Sequence, residues 1–272
     1  MALHDVIRTI AGRVAARARS SDRLDADAIH DMRKDLKRAR SALRLMRDAL
    51  PEDEYRAESA LLRDAARPLG ALRDATVLLG VVNDLLATKA GQRSARRLAA
   101  LRDTLRKETA TLARGMQTGG RRKALARPLE DALAQLERWH LPRDLRPAVA
   151  HGLERLYRKA RKAAHAAREE RSDAALHEAR KRARDLANAL QLLGAGKGAG
   201  KAAKPAAAFA ERLGDDHDLA LLLARLAGTR DAAALEAKVQ RRRRKLQRKA
   251  WQRARKAYRR KPGHFAERFA GA

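Results

Sequence analysis

The 272-residue chain carries 63 Lys and Arg against 33 Asp and Glu, a formal net charge of +30. It has no cysteine, which excludes a disulfide framework, a thiolate metal site and a cysteine nucleophile, and no run approaches the ~18 apolar residues of a membrane span. Apolar residues make up 45% and aromatics only 3%, so the composition describes a helical, strongly cationic protein whose partner is a polyanion.

The first expected helix covers about Ala2 to Ser20, where periodic arginines stand in place of the apolar region of a signal peptide. The second runs from Leu24–Asp27 to Leu50 and is closed by Pro51. A third region, Glu52 to Ala87, is interrupted at Pro68-Leu69-Gly70. Helices follow over Gln92–Met116 and Lys123–His140, then Pro142 and Pro147 punctuate the chain before Ala148–Glu170. The pattern resumes over Asp173–Leu193, Pro205–Ala227 and Asp231–Arg260. Residues 194–204 read as a flexible glycine-rich loop. No Gly-Lys-Ser/Thr follows its glycines, so it is not a phosphate-binding P-loop.

Two motifs recur in the same order. Aligned on His30 and His177, Arg33 meets Arg180, Lys34 meets Lys181, Lys37 meets Arg184 and Leu43 meets Leu190. Downstream, Leu69-Gly70 with Arg73-Asp74 is echoed by Leu213-Gly214 with His217-Asp218, and upstream His4 and His151 lie at the same distance before the paired histidines. The chain is therefore a tandem duplication, with residues 1–141 and 142–272 as its repeats.

In the first histidine helix Met32, Leu36, Ala39, Leu43, Met46 and Leu50 form one apolar stripe at alternating spacings of four and three. Arg33, Lys37, Arg40, Arg44 and Arg47 each lie one residue after a stripe position, and with His30 three residues before Arg33 they form a row rotated by about 100° from it. At 1.5 Å rise per residue, successive cations stand about 4.5–6 Å apart along the axis, as a cationic rail beside a buried seam. The second helix repeats the stripe with Leu176, Ala179, Ala183, Leu186, Leu190 and Leu193, and the rail with His177, Arg180 and Arg184, flanked by Lys181. Its rail then lapses into Ala187 and Gln191. An ordinary solvated face mixes signs through i,i+4 pairs. A row of like charges beside a core calls for an external counter-anion.

The run from His30-Asp31-Met32-Arg33-Lys34 to Arg44 resembles the signature of the CHAD domain, the conserved histidine α-helical domain. Leu176-His177-Glu178-Ala179-Arg180-Lys181 resembles the same motif in that family's second half, and the paired Leu-Gly segments resemble its following-helix motif. The likeness implies an all-α fold of two four-helix bundles related by a pseudo-twofold axis around a basic central channel. It also implies binding of inorganic polyphosphate, and recruitment to or organisation of polyphosphate or its granules in the cytoplasm. Many relatives carry an N-terminal CYTH triphosphatase domain, whereas this chain starts in the first helix of the first repeat, as a stand-alone form. Ala187, Gln191 and the glycine-rich loop depart from the pattern and concern the symmetry of the channel.

The polyphosphate-binding set expected on these grounds is His30, Arg33, Lys34, Lys37, Arg40, Arg44, His177, Arg180, Lys181 and Arg184, with Arg158 and Arg161 in a basic segment of the second repeat. Guanidinium forks match phosphate oxygens two at a time, and lysine serves as a mobile point charge. Asp74 and Asp218 are expected to orient an Arg or His. No cofactor or metal is implied. Two competing readings stand beside this one. Nonspecific nucleic-acid binding follows from charge alone, but the two Trp, three Tyr and three Phe leave the rails without stacking platforms. A metal-dependent phosphohydrolase of the HD type needs His4, His30 and Asp31 to assemble, among cations that oppose a divalent metal. The last helix is basic almost all round, from Arg241 to Lys256, with Leu235, Val239, Leu246, Ala250 and Ala254 as its inner side.

Overall fold

The two histidine helices begin alike. The Asp25 carboxylate accepts a hydrogen bond from the Ala28 amide at 2.8 Å, and the Ser172 hydroxyl accepts one from Ala175 at 3.1 Å. Each satisfies an amide that the first turn leaves without a partner. The computed structural model describes residues 3–20, 22–88, 92, 94–194, 198–227 and 233–269, and no strand occurs among them. The fold is all-α.

The segment expected as the first repeat carries α1 (Leu3–Arg19), α2 (Ala26–Leu45), α3 (Glu52–Ala66), α4 (Gly70–Leu86), α5 (Ala95–Met116) and α6 (Gly119–Leu136). The segment expected as the second carries α7 (Arg146–Glu170), α8 (Asp173–Leu192), α9 (Ala199–Leu226), α10 (Ala233–Ala257) and the short α11 (Pro262–Glu267). Thus α1 corresponds to α7, α2 to α8, and α3 with α4 to α9. Pro68 cannot donate a helical hydrogen bond, so α3 passes into α4 through a 3-10 turn, Arg67–Leu69. In α9 the same place, around Gly214, has no proline and stays continuous α-helix.

Three apolar cores hold these helices. The first is built on Ile7, Ile10 and Val14 of α1 with the α2 stripe and Leu125 and Leu129 of α6. The second centres on Tyr157, Leu186, Leu190 and Phe209. The third joins the repeats: Leu78, Val82 and Leu85 of α4 pack with Leu219, Leu222 and Leu226 of α9 and with Leu235 and Val239 of α10. A reciprocal exchange reinforces the junction. Leu45 of α2 is buried in the second core, and Leu192, its counterpart on α8, packs against the first. Gly152 makes this approach possible, since a Cβ there would lie 2.3 Å from the Leu45 carbonyl oxygen.

Several boundaries differ from the sequence expectation. Helix α9 starts at Ala199, so residues 199–204 are helical, because the alanine-rich run that follows extends the helix backwards through Pro205. Residues 195–197 of the expected loop, and 231–232 at the expected start of the last helix, lie outside the described residues. Helix α6 starts at Gly119 because Thr118 caps it, accepting from the Arg121 amide, and it ends at Leu136. Helix α11 was not expected from the polar run before Pro262. Its Phe265 stacks on Tyr157 with ring centroids 4.0 Å apart. In α10 the inner side includes Arg243, which is buried and bonded to Asp216 at 3.0 and 3.2 Å and also to Asp173.

Candidate functional site

The stripe of each histidine helix is buried as its spacing requires, apart from half-buried Leu193. With the seam fixed, the rail residues emerge where α2 and α8 cross. Arg33 and Arg180 occupy equivalent places, each seated over the glycine of the following helix. A Cβ at Gly70 would lie 3.8 Å from Arg33 Nη1, and one at Gly214 3.5 Å from Arg180 Nε. Each Leu-Gly motif thus places its glycine under a rail guanidinium, the same local arrangement at both positions.

Lys37 stands where the repeats meet. Desolvation lowers its pKa first, and Arg33, Arg180, Arg184 and Arg73 lower it further, to about 8. Its amine therefore sits among cations from α2, α4 and α8. Burial depresses Arg33 as well, against the pull of Asp74, with Arg73 and Arg180 adding to the depression. Arg184 is lowered by burial and by Arg180, with Glu211 opposing. Arg33 and Arg184 are half-buried while Lys37 keeps an exposed side chain, so these directions describe positive charge held close together at the surface, a state that a bound anion relieves.

On the first repeat the rail opens into a groove of about 480 Å³ lined by Arg33, Lys37, Arg40, Arg63 and Arg67, with Asp64 and Ala66. Arg40 is lowered by burial, and its Nε has no hydrogen-bond partner among the described residues. On the second repeat the positions matching Arg63 and Arg67 are Ala207 and Glu211, and Ala187, matching Arg40, is buried. The basic groove is therefore lopsided toward the first repeat. Arg63, Arg67 and Arg73 were missed in the sequence reading because they belong to α3 and α4, whose periodicity shows no rail. Arg73 was nevertheless legible as the residue before Asp74 in the repeated motif.

At the other end, His177 stacks on His217 with centroids 4.7 Å apart. Burial lowers the pKa of both imidazoles, and Arg180 lowers them further. Asp74 of the first repeat acts on both histidines, and Asp218 is pushed up by burial and by Asp215 and Asp74, against Arg180 and Arg73. Asp74 thus acts electrostatically on Arg33, His177 and His217, and Arg180 and Arg73 act on Asp218.

Lys37 and His177 are exposed at the surface of their helices. So are the other expected residues His30 and Lys34 on α2 and Lys181, which pairs with Glu178 at 3.3 Å. Arg44 pairs with Asp185 of α8 at 3.3 Å, both largely buried, so it ties the two histidine helices together. Arg158 is exposed and paired with Glu154 one turn back. Arg161 lies beside Tyr157 and the Arg259–Arg260 turn, and no contact brings it to the groove. The HD constellation does not form. Arg13 pairs with Asp35 at 2.6 Å, which sets the register of the α1–α2 hairpin and leaves His4 and His30 roughly 20 Å apart along it. His4 instead lies by the Leu136 carbonyl and Trp139. Among the described residues no group of three His, Cys, Asp or Glu could hold a metal ion.

A family model described as the CHAD domain matches residues 2–227. The chain belongs to the CHAD domain family. The crystal structure of the CHAD domain from the plant Ricinus communis matches with a TM-score of 0.58, covering 100% of this chain and 92% of that one at 20% identity, a likeness that shows the shared fold. Comparison with curated proteins gives no match. In this CHAD domain the rails, the paired glycines and the His177–His217 stack all lie within the matched residues, whereas α10 and α11 lie beyond them. No helix among the described residues is long and apolar enough to cross a membrane.

Proposed function

We propose that this CHAD domain binds inorganic polyphosphate along the groove between its histidine helices, without turning it over, and so recruits or organises polyphosphate, including polyphosphate in cytoplasmic granules. The observation that carries the reading is the gathering of Arg33, Arg73, Arg180 and Arg184 around Lys37, whose pKa desolvation first and these cations next bring down to about 8. A chain of phosphates supplies one negative charge after another to such a row, and each charge-assisted bond gains from partial exclusion of water. His30, Lys34 and Lys181 extend the row at its exposed margins, His177 donates to phosphate at the far end, and Arg40, Arg63 and Arg67 line the wider lobe. Arg44, Arg158 and Arg161 contribute long-range charge, since the first two are already paired and the third stands apart.

The test is a titration with long-chain polyphosphate and with duplex DNA of matched charge at about physiological salt. Polyphosphate binds at least about tenfold more tightly, ~1.4 kcal/mol. Reversal of Arg33, Lys37, Arg180 and Arg184 to Glu removes that preference. Reversal of four exposed cations elsewhere (Arg96, Lys107, Arg121 and Lys123) alters net charge equally and leaves it in place. Equal loss in both folded variants would reduce the groove to generic surface charge. Phosphate released from polyphosphate with Mg²⁺ or Mn²⁺ present would overturn the non-catalytic reading.

A further inference from the structure

The last long helix carries a second row that differs from the rails in one respect. Arg241, Arg244, Arg248, Trp251 and Arg255 follow one another at spacings of three, four, three and four, so they share one face of α10. That face forms one wall of a groove of about 640 Å³, and Arg168 and Arg171 at the end of α7 line it too. None of these six guanidiniums has an acidic partner among the described residues. Trp251 is half-buried, its ring anchored against Phe209 at a centroid distance of 5.6 Å while it lines the groove. Gln247 is held there as well, its Nε2 donating to Asp216 at 3.0 Å. No rail residue lines this groove.

We propose that the α7–α10 groove is a separate binding site for single-stranded nucleic acid. A bare phosphate chain has no use for an indole, whereas an unpaired base stacks on one while guanidiniums hold the phosphates on either side of it. From Arg241 to Arg255 the row spans about 21 Å, which accommodates roughly six nucleotides at the ~3.4 Å rise of a stacked strand. A duplex buries its base faces and cannot offer one to Trp251. The site is sequence-tolerant, because every base has a face to stack. With the rails, it gives the protein two polyanion sites of different chemistry.

The experiment uses the full chain with Trp139→Phe, so that Trp251 is the sole indole. Oligo(dT) and oligo(U) quench its fluorescence saturably, and comparison of the two distinguishes a DNA from an RNA preference. Long-chain polyphosphate at matched charge leaves the emission largely unchanged. Trp251→Leu weakens oligonucleotide binding about tenfold (~1.4 kcal/mol), as the loss of one base–aromatic stack requires, and leaves polyphosphate affinity intact. Because Trp251→Leu also touches Phe209, Arg244→Glu with Arg248→Glu, both exposed, gives an independent loss in a core left alone. The rail reversal leaves the oligonucleotide titration unchanged, so failure of this site and failure of the polyphosphate site are read separately. Quenching by polyphosphate as strong as by oligo(dT), oligonucleotide binding that survives both groove variants, or binding lost with the rails would each overturn the proposal.

Discussion

Around the Lys37 amine stand Arg33 and Arg73 of the first repeat and Arg180 and Arg184 of the second. With its pKa at about 8, the native protein sheds this proton at a pH where an unfolded lysine keeps it. Between about 8 and the ordinary lysine value the unfolded chain binds more protons, so stability rises with pH across that window, and the strain of the charged amine is fully present below it. A bound polyanion restores the charge. Binding of polyphosphate at pH 9 therefore takes up a proton, and affinity falls as pH rises from about 8. His177 and His217, lowered by burial and Arg180, produce a second window of uptake at and below the ordinary histidine range. Isothermal titration in buffers of different ionisation enthalpy measures both windows. The alkaline uptake disappears in Lys37→Met and the acidic one persists. An unchanged heat across buffers at pH 9 would show that Lys37 lies outside the bound site.

Among the elements, glycine shows where helix packing was legible and where it was not. Gly70 and Gly214 stood out in the sequence because a repeated motif carried them, and each proved to be the bed of a rail arginine. Gly152 carried no such mark, since its partner is the Leu45 backbone of another helix and nothing in local periodicity reports that contact. The same division runs through the molecule. The α2 and α8 stripes, the rails and the duplication were readable because they repeat at helical spacing. The Arg243–Asp216 pair, the pairing of Arg44 with Asp185 and the Arg63 and Arg67 wall were not, because each depends on how two helices meet. The glycines also separate by experiment. Gly214→Ala adds a methyl at ordinary contact distance and removes a helical glycine, so it stabilises by about 0.5–1 kcal/mol. Gly152→Ala forces α7 away from α2 and costs about 1–3 kcal/mol. Chemical denaturation of the two variants compares them directly. A neutral Gly152→Ala would mean that the α2–α7 approach is looser than its geometry.

At the scale of the whole molecule, the two segments that the sequence reads as repeats of one unit are joined by a shared core. The third core takes residues from α4 on one side and from α9 and α10 on the other. Leu45, fully buried, belongs by sequence to the first repeat and by packing to the second. Arg44 and Asp185 carry the same link in charge. Such sharing holds the rails at a fixed separation, which a groove for one anion chain demands. Thermal unfolding of the intact chain therefore shows a single transition with calorimetric and van't Hoff enthalpies in agreement. Leu45→Ala costs about 2–5 kcal/mol and lowers that one transition without splitting it. Residues 1–141 alone expose Leu45 and the Leu78, Val82 and Leu85 face of α4, and they yield no cooperatively folded monomer by calorimetry and size exclusion. Two resolved transitions, or a stable monomeric first repeat, would show that the bundles fold independently. The crowding at Lys37 would then be an encounter between two autonomous domains, and reversing Arg180 and Arg184 would leave the first repeat's own affinity for polyphosphate untouched.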